Sequence, residues 1–222
     1  MKINTINYID LINVKTINND EKLVSLKKYS YFDIHPINKD MEGFTGNDIF
    51  LREGAAKKLL KVAKELKNMN SNYKLRVSYG YRHPEIQREY FNKVEKKIKK
   101  EYPDFNKLQL NTEIHKYVAH PNVAGHPTGG AVDLTITEKD IPLDMGCEIM
   151  DFSDPDKMSC NCSNLAAEQQ KNRELLQRLM INEGFAPFYG EWWHFCYGDK
   201  EWAKYYKQSH AIYDQMNYKN RD

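Results

Sequence analysis

Long hydrophobic runs are missing from this sequence. Hydrophobic residues make up 41% of the 222 residues, and polar residues interrupt them so often that no stretch approaches the ~20 apolar residues of a membrane span. Residues 1–8 also lack the unbroken apolar core of a signal peptide. We therefore expect a cytosolic protein that neither crosses a membrane nor is exported.

An excess of charge of one sign is also missing. The chain has 33 Lys and Arg against 31 Asp and Glu, a net charge of +2. No overall field therefore favours binding to nucleic acid or to an anionic membrane surface. We expect neither partner, and a small neutral or zwitterionic ligand is easier to accommodate.

Cysteine is scarce, with four residues in the whole chain: Cys147, Cys160, Cys162 and Cys196. They could form two disulfides in an exported protein or a thiolate metal site. Cys160 and Cys162 are separated by one residue, which is tighter than the usual spacing of structural zinc sites. Without an export signal we expect free thiols.

The secondary structure that the sequence predicts is of mixed type. The length of 222 residues suits one domain. Amphipathic patterns predict helices, and alternating or aromatic-rich patterns predict strands. The helices are expected at 51–68, from Pro84 onward and at 165–183, and the strands at 74–81, 131–137 and 191–197. This irregular order predicts a single α+β domain with a mainly antiparallel central sheet flanked by helices.

Two short segments about sixty residues apart carry the chemistry. The first contains His126 in a loop rich in Gly and Pro, followed by Asp133 within an apolar strand; the second contains His194. A carboxylate in an apolar strand is unfavourable unless it is paired or binds metal. Two His and one acidic residue, with the fourth position left to water, form the ligand set of a catalytic zinc site. His120 is the second candidate for the first histidine.

Glu191 lies three residues before His194 and could move protons beside the metal. A regular strand places these two residues on opposite faces, so they share a site only if the chain bends, for which Gly190 is suited. The alternative is a buried aromatic strand with polar ends. The helical His-Glu-x-x-His motif is absent from the sequence.

Five blocks of sequence resemble the zinc D-alanyl-D-alanine dipeptidases of the VanX type, which are relatives of the zinc D,D-carboxypeptidases. The blocks are Phe44-Thr45-Gly46 with Leu51-Arg52-Glu53-Gly54-Ala55-Ala56, then Gly80-Tyr81-Arg82, then Gly125 through Leu134, then Asp144-Met145-Gly146, and Glu191 through Phe195. Their common order makes them more specific together than any one alone. The resemblance implies a DD-peptidase/Hedgehog-like fold.

The resemblance also implies the role of each site residue. His126, Asp133 and His194 would bind one zinc ion per chain. Glu191 would be the general base and acid, and Arg82 would stabilise the oxyanion of the transition state. The implied substrate is D-alanyl-D-alanine or a similar D,D-dipeptide of cell-wall metabolism.

Two positions depart from the family pattern. Ala124 stands where the family often has Ser, and the acidic residue after Met145-Gly146 comes later than usual, at Asp151. Asp151 is the candidate for holding the free ammonium of the substrate, with Asp144 or Asp154 as alternatives.

The resemblance leaves other functions open. A D,D-carboxypeptidase acting on muropeptides and a non-catalytic zinc-binding module of the same fold are the alternatives. Glu191 and Arg82 argue against the module, because metal binding alone requires neither. The expected division is an N-terminal arm at 1–40, a catalytic domain at 41–205 and a C-terminal tail at 206–222. The oligomeric state is left open.

Overall fold

A computed structural model describes residues 6–219 of the chain. Its helices and strands alternate irregularly along the sequence. The helices are α1 (Tyr8–Leu11), α2 (Glu42–Thr45), α3 (Glu53–Met69), α4 (Pro84–Glu101), α5 (Lys107–His115), α6 (Pro155–Met158), α7 (Ala167–Asn182) and α8 (Lys200–Tyr205). The strands are β1 (Leu23–Ser25), β2 (Phe32–Ile34), β3 (Phe50–Arg52), β4 (Tyr73–Tyr79), β5 (Ala131–Glu138), β6 (Ile141–Pro142), β7 (Ala186–Pro187) and β8 (His194–Cys196).

The central sheet has the strand order β2-β4-β5-β8-β7, and β6 pairs with the far end of β5. Only the pairing of β2 with β4 is parallel, and the other pairings of this sheet are antiparallel. Strands β1 and β3 form a separate antiparallel pair. The prediction of an α+β fold with a mainly antiparallel sheet is therefore confirmed.

Strand β5 separates the apolar core from the polar face of the sheet. Val132, Leu134 and Ile136 are fully buried in the main core, because alternate residues of a strand point to opposite faces. Asp133 and Thr135 occupy the other face. The apolar side of α3, which the helical spacing predicts, is buried in the same core. This packing fixes β5, and with it the position of Asp133.

Two predicted elements have different bounds. The helix predicted from residue 51 is α3, and it begins at Glu53 because Phe50–Arg52 pair with β1. The strand predicted at 191–197 is wrong in its first half: the chain turns there, and only His194–Cys196 form a strand. The turn closes when the His194 N–H donates to the Glu191 carbonyl at 3.1 Å.

The first forty residues contribute β1 and β2, which pair with β3 and β4. The domain borders proposed at residues 40 and 205 stay predictions. The four cysteines are free thiols, as expected. Among the helices of residues 6–219, none has the length and apolar character needed to cross a bilayer.

Candidate active site

His126 lies in a tight turn that leads into β5. Residues His126–Thr128 form one turn of 3₁₀ helix, and Gly129 closes it with a φ of +73°, a backbone conformation that glycine adopts at little cost. Buried Arg52 supports this turn: its Nε donates to the Thr128 carbonyl and its backbone N–H donates to the Gly129 carbonyl, both at 2.8 Å. The turn therefore brings His126 back beside the start of the strand.

Asp133 and His194 meet because their strands are neighbours. Strand β5 pairs with β8 in a register that sets Asp133 opposite His194. Nδ1 of His194 lies 2.9 Å from Oδ1 of Asp133, and Nε2 of His126 lies 3.4 Å from Oδ2. One potential ligand atom from each of the three residues lies within 4.8 Å of the others. Two imidazoles and one carboxylate are a donor set that suits zinc, so these residues could hold such an ion.

Asp133 and His126 are in the protonation states that bind a cation, whereas His194 has to lose a proton first. Although burial acts in the opposite direction, His126 and His194 hold the pKa of the Asp133 carboxyl well below its usual range, so it is negatively charged. Burial lowers the pKa of His126, which favours its neutral ring. Burial has the same effect on His194, but its hydrogen bond to Asp133 outweighs it and raises the pKa to about 9. Metal binding replaces such a proton.

Glu191 stands in the turn before β8, three residues before His194. Its carboxyl is close enough for the charges of His194 and Asp133 to act on its pKa. Burial, the largest influence, raises that pKa to about 7. A carboxyl group that titrates near neutral pH is suited to take up and release a proton. Because the chain bends here, Glu191 is not forced onto the face opposite His194, as it would be in a regular strand.

Arg82 is buried at the junction of β4 and α4, with 8% of its surface exposed. Its backbone N–H donates to the His126 carbonyl at 3.2 Å. Its side chain donates from Nε to the Tyr79 hydroxyl at 3.2 Å and from Nη1 to Oε1 of Gln87 at 2.9 Å. Within residues 6–219 it forms no ion pair with a carboxylate, which a surface salt bridge would require.

The structure does not bring every candidate to this cluster. His120 packs its ring between Tyr8 and Phe91 and is not among the three clustered ligands. Asp151 lies in the loop after β6, where its Oδ1 accepts a hydrogen bond from the Ser153 N–H at 3.0 Å. Asp144 and Asp154 accept similar bonds within the same loop. All three aspartates line one cavity of about 570 Å³, together with Thr135 and Trp192.

Sequence reasoning missed several residues around Arg82 and His194. The hydroxyl of Tyr81, the residue just before Arg82, donates to the Met216 carbonyl at 2.7 Å. The tyrosine whose hydroxyl contacts the Arg82 side chain is Tyr79, which lies three residues before it. Near His194, burial raises the pKa of Glu201 to about 8, and the charge of this residue acts on the imidazole. No motif in the sequence points to Glu201.

A His-Asp-His cluster that could hold a metal, with a neighbouring glutamate and a buried arginine, is typical of metal-dependent hydrolases. A family model described as D-ala-D-ala dipeptidase matches residues 16–215, and the chain belongs to this family of peptidases. The prediction of a metallopeptidase related to the VanX type is thereby confirmed.

Individual proteins described as D-alanyl-D-alanine dipeptidases align with this chain over 107 to 188 residues. A D-alanyl-D-alanine dipeptidase of Synechocystis sp. is 36% identical over 107 residues, which is 43% of each protein. A D-alanyl-D-alanine dipeptidase of Enterococcus faecium is 27% identical over 188 residues, which is 81% of this chain and 88% of that one. Among solved structures, the LdcB LD-carboxypeptidase superposes with a TM-score of 0.47 at 19% identity, covering 88% of this chain and 76% of its own.

Proposed function

We propose that this protein is a zinc-dependent dipeptidase that hydrolyses D-alanyl-D-alanine or a similar D,D-dipeptide to free D-amino acids. The observation that carries the proposal is the cluster of buried His126, buried Asp133 and partly buried His194, with one potential ligand atom from each within 4.8 Å of the others. The family of the chain and its relatives support the choice of substrate. A role in recycling or depleting cell-wall precursors follows from that substrate.

His126, Asp133 and His194 would hold the metal. A zinc ion held there would supply a Lewis acid for the scissile carbonyl and would lower the pKa of a bound water towards ~7. Glu191 then takes a proton from the attacking water and passes it to the amine that leaves, which a carboxyl with a pKa of about 7 can do in both directions.

Arg82 would stabilise the negative charge that forms on the carbonyl oxygen of the substrate. Burial in a cleft of low dielectric strengthens such an interaction. The guanidinium is already fixed by Tyr79 and Gln87, so it does not have to reorganise during the reaction. Asp151 is proposed to hold the free ammonium of the substrate, from a cavity whose wall includes Trp192, the neighbour of Glu191.

The test is release of D-alanine from D-alanyl-D-alanine by the purified, zinc-loaded protein. A chelator-treated sample is the control, and an acetyl-blocked tripeptide that ends in D-alanyl-D-alanine runs alongside. Chelator-sensitive cleavage of the free dipeptide alone supports the dipeptidase. Cleavage of the blocked tripeptide assigns a D,D-carboxypeptidase instead, and a zinc-loaded protein inactive on both substrates contradicts the proposal.

A further inference from the structure

The guanidinium of Arg82 lies between two tyrosine rings. Its Cζ atom lies 4.6 Å from the ring centre of Tyr79 and 5.1 Å from that of Tyr90. Aromatic faces attract a cation at such distances. The two rings therefore restrict where the guanidinium can go, in addition to its hydrogen bonds with Tyr79 and Gln87.

Both phenols are held by one carboxylate, which comes from the N-terminal part of the chain. The hydroxyls of Tyr79 and Tyr90 each donate to Oδ2 of Asp40 at 2.6 Å. Burial raises the pKa of Tyr90 to about 12, so its hydroxyl keeps the proton that it donates. The Tyr79 hydroxyl accepts from Arg82 and donates to Asp40, so the carboxylate strengthens this oxygen as an acceptor.

Asp40 is itself held in place by the residues that follow it. The sulfur of Met41 accepts the backbone N–H of His83 at 3.3 Å. The ring of Phe44 stacks on the imidazole of His83, with 3.9 Å between the ring centres. The segment 40–44 is thus attached to the strand-to-helix junction that carries Arg82, and the carboxylate has a defined position.

We propose that Asp40 is a positioning residue that acts through Tyr79 and Tyr90 to hold Arg82 ready for the transition state. This inference rests on the proposed function, in which Arg82 stabilises the oxyanion. Tyr79 and Gln87 occupy Nε and Nη1, and among the described residues Nη2 has no hydrogen-bond partner. That nitrogen is the one left to face the substrate. A donor held in advance stabilises developing charge more than one that must be reoriented.

A double-mutant cycle tests the proposal on D-alanyl-D-alanine. We expect Asp40→Ala to lower kcat about tenfold with little change in KM, a fraction of the 10²–10³ loss typical of removing an oxyanion donor. In an Arg82→Ala background the same substitution should have little further effect, because its target is gone. A loss from Asp40→Ala that is equally large in both backgrounds overturns the proposal, since it would show a purely structural role.

Two milder variants keep the test valid if Asp40→Ala folds poorly. Asp40→Asn keeps an acceptor oxygen for the phenols and should recover most of kcat. Tyr90→Phe keeps the ring beside Arg82 but releases it from Asp40, and should lower kcat with the same dependence on Arg82. The matched control is Asp48→Ala, a part-buried carboxylate that accepts the Ser25 hydroxyl at 2.5 Å and should leave kcat unchanged.

Binding of a phosphinate analogue of the dipeptide gives a readout without turnover. Its tetrahedral phosphorus resembles the transition state, so Asp40→Ala should weaken the analogue about tenfold while the affinity for the product D-alanine stays the same. Equal weakening of both ligands overturns the role of Asp40. A zinc-loaded wild type that neither cleaves dipeptides nor binds the phosphinate overturns the proposed function, and this inference falls with it. An active wild type with additive losses overturns the inference alone.

Discussion

The ring of His126 is oriented by a backbone carbonyl. Its Nδ1 lies 2.7 Å from the Gly80 oxygen, to which the Nδ1–H donates, so Nε2 keeps a lone pair for a metal. A side chain at position 80 would disturb this contact, because a Cβ there would come within 2.6 Å of Ile49 and 2.7 Å of the Phe50 carbonyl. Gly80 also lies two residues before Arg82. One short segment therefore sets both the tautomer of His126, a proposed metal ligand, and the position of Arg82.

Substitution of single site residues should separate metal binding from catalysis. We expect His126→Ala to lose both zinc and turnover. Glu191→Ala should keep zinc but lower kcat by about 10²–10⁴, the usual contribution of a general acid or base. Zinc content and kcat, measured on the same preparations, check this. His120→Ala is the control and should keep both, because its ring lies between Tyr8 and Phe91. An active Glu191→Ala enzyme would remove the proposed base.

At the scale of elements, the turn before β5 depends on a backbone conformation that residues other than glycine rarely adopt. Gly129 has a left-handed conformation, and a Cβ there would collide with the side chain of Leu23 on β1. The two-stranded sheet of β1 and β3 therefore packs against the turn that carries His126. We therefore expect a change in this turn to shift the proposed metal ligands of the central sheet.

Gly129→Ala should destabilise the protein and weaken its affinity for zinc. The left-handed backbone alone costs an alanine about 1–2 kcal/mol, and the collision with Leu23 adds to this. Denaturant unfolding and zinc titration measure the two effects. Gly43→Ala is the matched control. A Cβ at this position would have no atom within 4 Å, and the free energy of unfolding should rise by about 0.4–1 kcal/mol. Equal behaviour of the two variants would contradict the role given to the turn.

At the scale of the molecule, the proposed ligands come from the turn before β5, from β5 itself and from β8. The unfolded chain does not hold these three parts together, so an ion bound by all of them binds the folded state only. Its binding free energy then adds to the free energy of unfolding. The site should therefore be visible in the stability of the whole domain.

Zinc should raise the melting temperature, and a chelator should reverse the rise. At free zinc of 1,000 times Kd the expected gain is about 4 kcal/mol, which corresponds to about 8–16 °C for a domain of this size. Calorimetry with and without the chelator measures it. The shift should vanish in Asp133→Asn, which lacks the charged ligand. A shift that persists in this variant would place the zinc elsewhere.

Particular residues show which structural features could be predicted from the sequence. Helix α4 begins at Pro84, and the alternation along β5 puts Asp133 opposite the apolar layer, both as predicted. Local patterns suffice there because proline favours the first helical turn and a strand has a period of two. The bend at Glu191 could only be stated as a condition. The supports of Arg82 were missed because no sequence pattern links Asp40 to Tyr79 and Tyr90, which follow it by 39 and 50 residues.

The sequence by itself determined the fold class and the family, and it indicated which residues are candidates for chemical function. These depend on residue type, spacing and period, all of which a single chain displays. Only the tertiary structure decided which of these residues meet: the pairing of β5 with β8 sets Asp133 against His194, and the packing of segment 40–44 sets Asp40 behind Arg82. Such contacts depend on strand register and side-chain packing between distant segments, which local sequence does not encode.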